Sequence, residues 1–168
     1  MRGVALLVCL GLILSVKAEA EPAFTSVHDG QFVGYILPKA AGETEMRQWY
    51  SELHSEGSWQ PTNDQVVEAE KAIHRFLEAA KRDIRIAFPN GSKRELSWNA
   101  PQIANILKQY DRYQIQFVGI TVHGQREIFC NYFIRSPSDS SDPARAFVMV
   151  FDGGSFYWQI IYVPATKS

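Results

Sequence analysis

The sequence predicts an α+β fold in which one long helix, plus a short second helix, packs on a four-stranded antiparallel sheet built from two hairpins. Three observations predict it. Apolar residues recur at helical spacing between Asn63 and Arg82. Four runs rich in β-branched and aromatic residues follow one another between Gln114 and Val163. Glycine-bearing gaps of hairpin length join those runs in pairs.

Residues 1–20 read as a secretory signal peptide. Arg2 gives a positive start, Val4 to Leu14 is an apolar run, and Ala18-Glu19-Ala20 offers a small-residue cleavage site before Glu21-Pro22. Cleavage after Ala20 predicts an exported protein, periplasmic or extracellular. No later stretch is long and apolar enough to cross a bilayer, so stable membrane insertion is not expected. The segment 21–60 carries little pattern: Phe32 to Leu37 suits a short strand, and Glu45 to His54 suits a helix ended near Gly57.

The remainder, 61–168, carries the predicted α+β domain. Thr62 can cap the long helix, and Gln65 can reach back to close a capping box. Val66, Ala69, Ile73, Phe76, Leu77 and Ala80 then form one apolar stripe. Asp64 in the first turn and Lys81 and Arg82 in the last complement the helix dipole. The stretch "FPNGSKRELSW" predicts a loop. Its Asn90-Gly91-Ser92 is a glycosylation sequon in a eukaryotic secretory route and a plain turn in a bacterium. Pro101 suits the first turn of a second helix over 101–110.

Strands are predicted over 114–122, 126–134, 145–151 and 155–163. His123-Gly124-Gln125 turns the first pair and Gly153-Gly154 the second, with a polar loop between the pairs. Parity sets Gln116, Val118, Phe129 and Asn131 on one face of the first hairpin, and Ile115, Phe117, Cys130 and Tyr132 on the other. In the second it sets Phe151 opposite Phe156 and Met149 opposite Trp158, with Val148, Tyr157 and Gln159 on the reverse side. Neither hairpin has a fully polar face. The long helix covers one side of the sheet, and the other must meet segment 21–60, a partner subunit or a ligand.

Without the leader, 15 basic residues face 17 acidic ones. So balanced a surface argues against nucleic acid, whose binding rests on concentrated positive charge. Cys9 leaves with the leader, and Cys130 alone cannot close an intramolecular disulfide. Its place in "EIFCNYFI" suits burial as a small hydrophobe.

His28, His54, His74 and His123 are not spaced as metal ligands, and no metal or cofactor is expected. No catalytic residue is announced, because nucleophile elbows, phosphate-cradling loops and dinucleotide fingerprints are all missing. Glu70, His74 and Glu78 are four residues apart, and the neighbouring Lys71, Arg75 and Arg82 make them an ordinary solvated charge mosaic. The polar residues stranded in apolar strands say more. Gln116, Asn131 and Gln159 would each cost about 1–3 kcal/mol if buried unpaired. They bond one another or a loop backbone, or they face a groove. With aromatic neighbours that suit a peptide or glycan, Tyr157, Gln159, Trp158 and Asn131 are the candidate ligand-binding residues.

The stretch "QYDRYQIQFVGITVHGQREIFCNYF" and the C-terminal "DGGSFYWQIIYVPATK" resemble a set of small exported bacterial proteins of uncharacterised function. Those end in a glycine-glycine-serine turn, an aromatic pair, glutamine, and tyrosine-x-proline-alanine-threonine. The resemblance runs from Gln109 to Lys167, with Asp152, Gly153, Gly154, Ser155, Trp158, Gln159, Tyr162, Pro164, Ala165 and Thr166 in the matching places. It implies a bacterial, exported protein and brings no activity with it.

The order of elements is also similar in outline to cystatin-like and NTF2-like cones. Cystatins insert a glutamine-x-valine-x-glycine loop into papain-like proteases. Here Gln116-Phe117-Val118-Gly119 is one residue too short and lies inside a predicted strand, so inhibition of that kind is not implied.

The expected function is therefore an exported interaction module that binds a peptide, glycan, small molecule or protein through its second sheet face. One alternative is an enzyme with a pocket between helix and sheet, which requires a deep cavity holding at least two ionisable groups of shifted pKa. The other is a homodimer joined through that face.

Overall fold

The computed structural model describes residues 23–30, 32–136, 141–150 and 153–165. The predicted leader, Phe151 at the end of the third predicted strand, and Asp152, Thr166 and Lys167 of the resembling C-terminal stretch lie outside the described residues. In chain order the elements are β1 (Thr25–His28), β2 (Val33–Ile36), α1 (Lys39–Trp49), β3 (Gly57–Trp59), α2 (Asn63–Arg82), α3 (Lys93–Lys108), β4 (Gln114–Val122), β5 (Gln125–Phe133) and β6 (Tyr157–Tyr162). The fold is α+β, and the described residues form three α-helices and one mixed six-stranded sheet instead of one long helix plus a short second helix on four antiparallel strands.

The sheet order is β1-β2-β4-β5-β6. β4 and β5 pair antiparallel along their whole length, with Gln116 opposite Asn131 and Val122 opposite Gln125. The turn between them is His123-Gly124, both at positive φ (50° and 73°), the geometry that a two-residue hairpin requires. β2 runs parallel to the first half of β4, and β3 pairs antiparallel with its second half. Segment 21–60 thus supplies three strands to the sheet, where the sequence suggested one.

α2 matches its prediction in both bounds and cap. Thr62 Oγ1 accepts from the Gln65 N–H at 3.3 Å, and Gln65 Oε1 accepts from the Thr62 N–H at 2.9 Å. α3 begins at Lys93 instead of Pro101, because a second capping box lies inside the stretch read as a loop. Ser92 Oγ accepts from the Glu95 N–H at 3.3 Å, and the Glu95 carboxylate accepts from the Ser92 N–H at 2.8 Å. Pro101 is therefore inside the helix. α1 starts at Lys39, directly after Pro38, and ends at Trp49, earlier than the predicted 45–54.

The largest correction concerns 145–151. Arg145 to Val150 form no strand, so the second predicted hairpin does not exist. β6 pairs with β5 instead, with Gln159 opposite Asn131 and Trp158 opposite Tyr132. Residues 141–150 form a strap over the sheet. Phe147 packs against the cluster that holds Val118, Ile120 and Phe129 and lies edge-on to Tyr50, and Met149 meets Tyr157 and Tyr50. Neither shares a face with Trp158, as the predicted parity required.

Both faces of the sheet are covered by the chain itself. On one side α2 and α3 bury Ile115, Phe117, Ile128, Cys130, Tyr132 and Tyr162. On the other, α1 and the strap enclose Leu37, Met46, Val118, Ile120 and Phe129. Of the three covers the sequence left open, segment 21–60 is one that the structure uses.

Gly119 shows how close the packing is. It lies opposite Trp59, and a Cβ there would stand 2.7 Å from the indole ring. The Trp59 Nε1 donates to the Ile120 carbonyl at 2.9 Å, and Arg126 stacks over the ring at 5.2 Å from its centroid.

Candidate functional site

β4, β5 and β6 each place one amide side chain in the same row, Gln116, Asn131 and Gln159. Gln116 and Asn131 are fully buried. The Gln116 amide donates to the carbonyls of Pro143 (2.9 Å) and Ala146 (2.8 Å), and its Oε1 accepts from the Val148 N–H at 2.9 Å. Asn131 Nδ2 donates to the Val148 carbonyl at 2.9 Å and to Gln116 Oε1 at 3.3 Å. Their backbones are committed to the sheet, so their side chains serve as the docking rail of the strap. Of the two roles left open for these amides, bonding one another and a loop backbone is what Gln116 and Asn131 do. A buried amide with all its bonds made costs little, and each partner left alone would cost about 1–3 kcal/mol.

The four candidate residues have different surroundings. Tyr157 is buried, and its hydroxyl reaches the Val148 carbonyl (3.2 Å), the Tyr50 hydroxyl (3.2 Å) and Met149 Sδ (3.3 Å). Trp158 lies on the opposite face, half-buried, stacked on Tyr132 at 3.9 Å between centroids and 11° between planes. Asn131 is part of the rail. Gln159 alone is exposed, and its Nε2 reaches Asn131 Oδ1 at 3.5 Å. The sheet thus brings Tyr157, Asn131 and Gln159 to one face and turns Trp158 away from them.

The start of β6 is fixed from α3's side. Gln109 Nε2 donates to the Ser155 carbonyl at 2.8 Å, and the Tyr113 hydroxyl donates to the same oxygen. No described strand pairs with the outer side of β6. The Ile134 N–H bonds the Phe156 carbonyl at 2.9 Å. Antiparallel alternation then gives Trp158 and Ile160 to β5 and turns the backbone groups of Gln159 and Ile161 outward. The Tyr157 N–H bonds the Gly154 carbonyl within a 3₁₀ turn, which leaves its own carbonyl outward.

Glu70 is a residue that sequence reasoning misplaced. It is only 3% exposed on the buried side of α2, not part of a solvated mosaic. Burial pushes its carboxyl above the ordinary 4.5, against the Tyr110 hydroxyl, His74 and Lys71, which pull it down. His74 lies against the Tyr110 ring at 4.5 Å, and the Tyr110 and Tyr132 hydroxyls are 3.4 Å apart. Burial likewise raises the pKa of Tyr110, and Cys130 is raised by its fully buried position. The signal was there: Glu70 is four residues after Val66 and three before Ile73, on the apolar stripe itself.

Among the described residues, surface clefts are formed elsewhere. One of about 210 Å³ lies between α1 and β3, lined by Arg47, Tyr50, His54, Glu56 and Ser58. One of about 240 Å³ lies between the strap and the end of β5, beside Arg135, Pro143 and Phe147. Another, of about 360 Å³, lies beside the β1–β2 turn at His28, Asp111 and Tyr113. None is lined by Gln159, Tyr157, Trp158 or Asn131, and none by Glu70 or Tyr110. Among the described residues no helix is long and apolar enough to cross a membrane.

Set against known protein families, curated proteins and solved structures, the chain matches none of them.

Proposed function

We propose that the protein is an exported interaction module that takes an extended partner strand along the open edge of β6. The observation that carries this reading is the position of Gln159: exposed, mid-strand, and flanked by backbone donors and acceptors that no described residue uses. Both sheet faces are occupied by the chain's own helices and strap, which moves the contact surface from a face to the edge. Strand addition of this kind takes affinity from the backbone and selectivity from alternate side chains. An enzyme reading would need Glu70 and Tyr110 to line a cavity, and neither lines the clefts above.

The test is retention of extended peptides by the mature protein and by Gln159→Pro. Proline removes an outward N–H that the fold does not use, a change that edge strands tolerate. A folded variant with lost retention is expected. A folded variant that retains peptides as the parent does would rule out the edge.

A further inference from the structure

The β6 edge is self-complementary, and we infer that its partner is a second copy of this chain. The inference rests on the edge reading above and names the strand that fills it. An antiparallel pair of β6 strands centred on a two-fold axis at Gln159 sets Gln159 opposite its own copy and Tyr157 opposite Ile161. The outward N–H and C=O groups of Gln159 then meet their equivalents. The Ile161 N–H meets the outward Tyr157 carbonyl, the one group at that position that the 3₁₀ turn leaves unused.

Three further features of this edge fit a copy of itself. β6 reads YWQIIY and carries no charge, no proline and no glycine, although charged residues make up 21% of the chain. Edge strands that avoid pairing usually carry such protections. No charge therefore meets its own image across the axis. Second, the amide row Gln116-Asn131-Gln159 stops at the edge, and Gln159 Oε1 accepts no hydrogen bond among the described residues. In the pair, each Gln159 amide faces the other, and the row continues over six strands of one sheet. Third, Val150 (41% exposed) and Phe156 (55% exposed) are large apolar side chains in solvent, and both lie at the start of this strand. A Cβ on Gly153 would stand 3.3 Å from Val150 and would also meet the Tyr157 Cβ, which places Val150 directly beside that strand.

The experiment is sedimentation equilibrium of the mature chain across a dilution series, with Gln159→Lys, with Gln159→Glu, and with the two variants mixed. The parent is expected to dimerise. Each single variant puts like charges opposite one another on the axis and weakens dimerisation about tenfold or more. The mixture restores it as a heterodimer, because lysine then faces glutamate. A monomeric parent overturns the inference. If that monomer still retains extended peptides in a Gln159-dependent way, the edge reading survives with a foreign strand, and if it retains none, both fall. A dimer indifferent to either charge, or variants that the mixture does not rescue, removes the axis from Gln159. Should a variant lose its fold, the parent alone decides: the Gln159 and Ile161 amides are slow to exchange hydrogen in the dimer and fast on dilution, and equal rates in both states overturn the pairing.

Discussion

Asn131 Nδ2 donates to Gln116 Oε1 at 3.3 Å across the β4–β5 pair, and between them these two side chains hold three backbone positions of the strap. The expected outcome of Gln116→Ala follows from that count. The carbonyls of Pro143 and Ala146 and the N–H of Val148 lose their partner together. The stability loss should be about 3 kcal/mol or more by urea denaturation, with faster hydrogen exchange at Val148. A loss below about 1 kcal/mol would show that the strap is held by other contacts.

Glu70→Gln should separate from the parent with pH. The folded state raises this carboxyl's pKa, so it favours the protonated form. Below the ordinary 4.5 both folded and unfolded chains are protonated, and no stability is lost through ionisation. As pH rises past that value, the unfolded chain releases its proton first and stability falls, until the folded carboxyl also titrates. His74, Lys71, Asp29 and Tyr110 are the groups around it. Tyr110, Cys130 and Tyr132 also feel the Glu70 charge, but burial raises all three, so they stay protonated across the pH range compared. Relative to the parent, Glu70→Gln should therefore be more stable near neutral pH than near pH 4, measured by denaturation at both. A difference that stays constant with pH would count against a buried carboxyl.

Gly119→Ala should be costly although it adds one methyl group. The added carbon meets both the Trp59 carbonyl and its ring. Overpacking of this kind costs about 1–3 kcal/mol. The Trp59 fluorescence should shift to the red as the indole leaves the Ile120 carbonyl and gains water. An unchanged spectrum with unchanged stability would falsify this account of β3.

Cys130 should resist alkylation in the folded protein. Its side chain is fully buried and burial pushes its thiol up, so little thiolate forms and none is reachable. Labelling by iodoacetamide should occur only at the rate of unfolding and should speed up with added urea. Rapid labelling in native buffer would contradict the burial.

Some elements were legible in the sequence because a local rule decides them. The α2 stripe, its Thr62–Gln65 box and the His123-Gly124 turn all depend on near neighbours, and all three are found where expected. Parity on β4 and β5 was legible for the same reason. The strap was not. The predicted strand 145–151 alternates like one, but what fixes its described part, 145–150, are side chains of Gln116 and Asn131, distant in sequence, and the backbone bonds they offer replace a ladder. The start of α3 was legible in principle, since Ser92 and Glu95 carry the capping-box spacing, and Pro101 drew the boundary away from it. At the candidate site, β6 parity correctly set Trp158 opposite in face to Tyr157 and Gln159. It could not say that Tyr157 would be covered, which depends on Val148 and Met149 of the strap reaching its hydroxyl.

β5 and β6 are neighbours in the sheet, and the whole of 134–156 lies between them in the chain. Closing so long a loop costs entropy before any contact of β6 is gained. The β4–β5 hairpin, joined by two residues, pays almost nothing of the kind. The order of assembly follows: the central hairpin forms early, the strap settles on its amide rail, and β6 zips on last. In refolding followed by pulsed hydrogen exchange, amides of β4 should gain protection before those of Trp158 and Ile160. The chain thus builds its open edge only after everything beneath it has closed, and a molecule caught midway has a different edge, β5, facing outward.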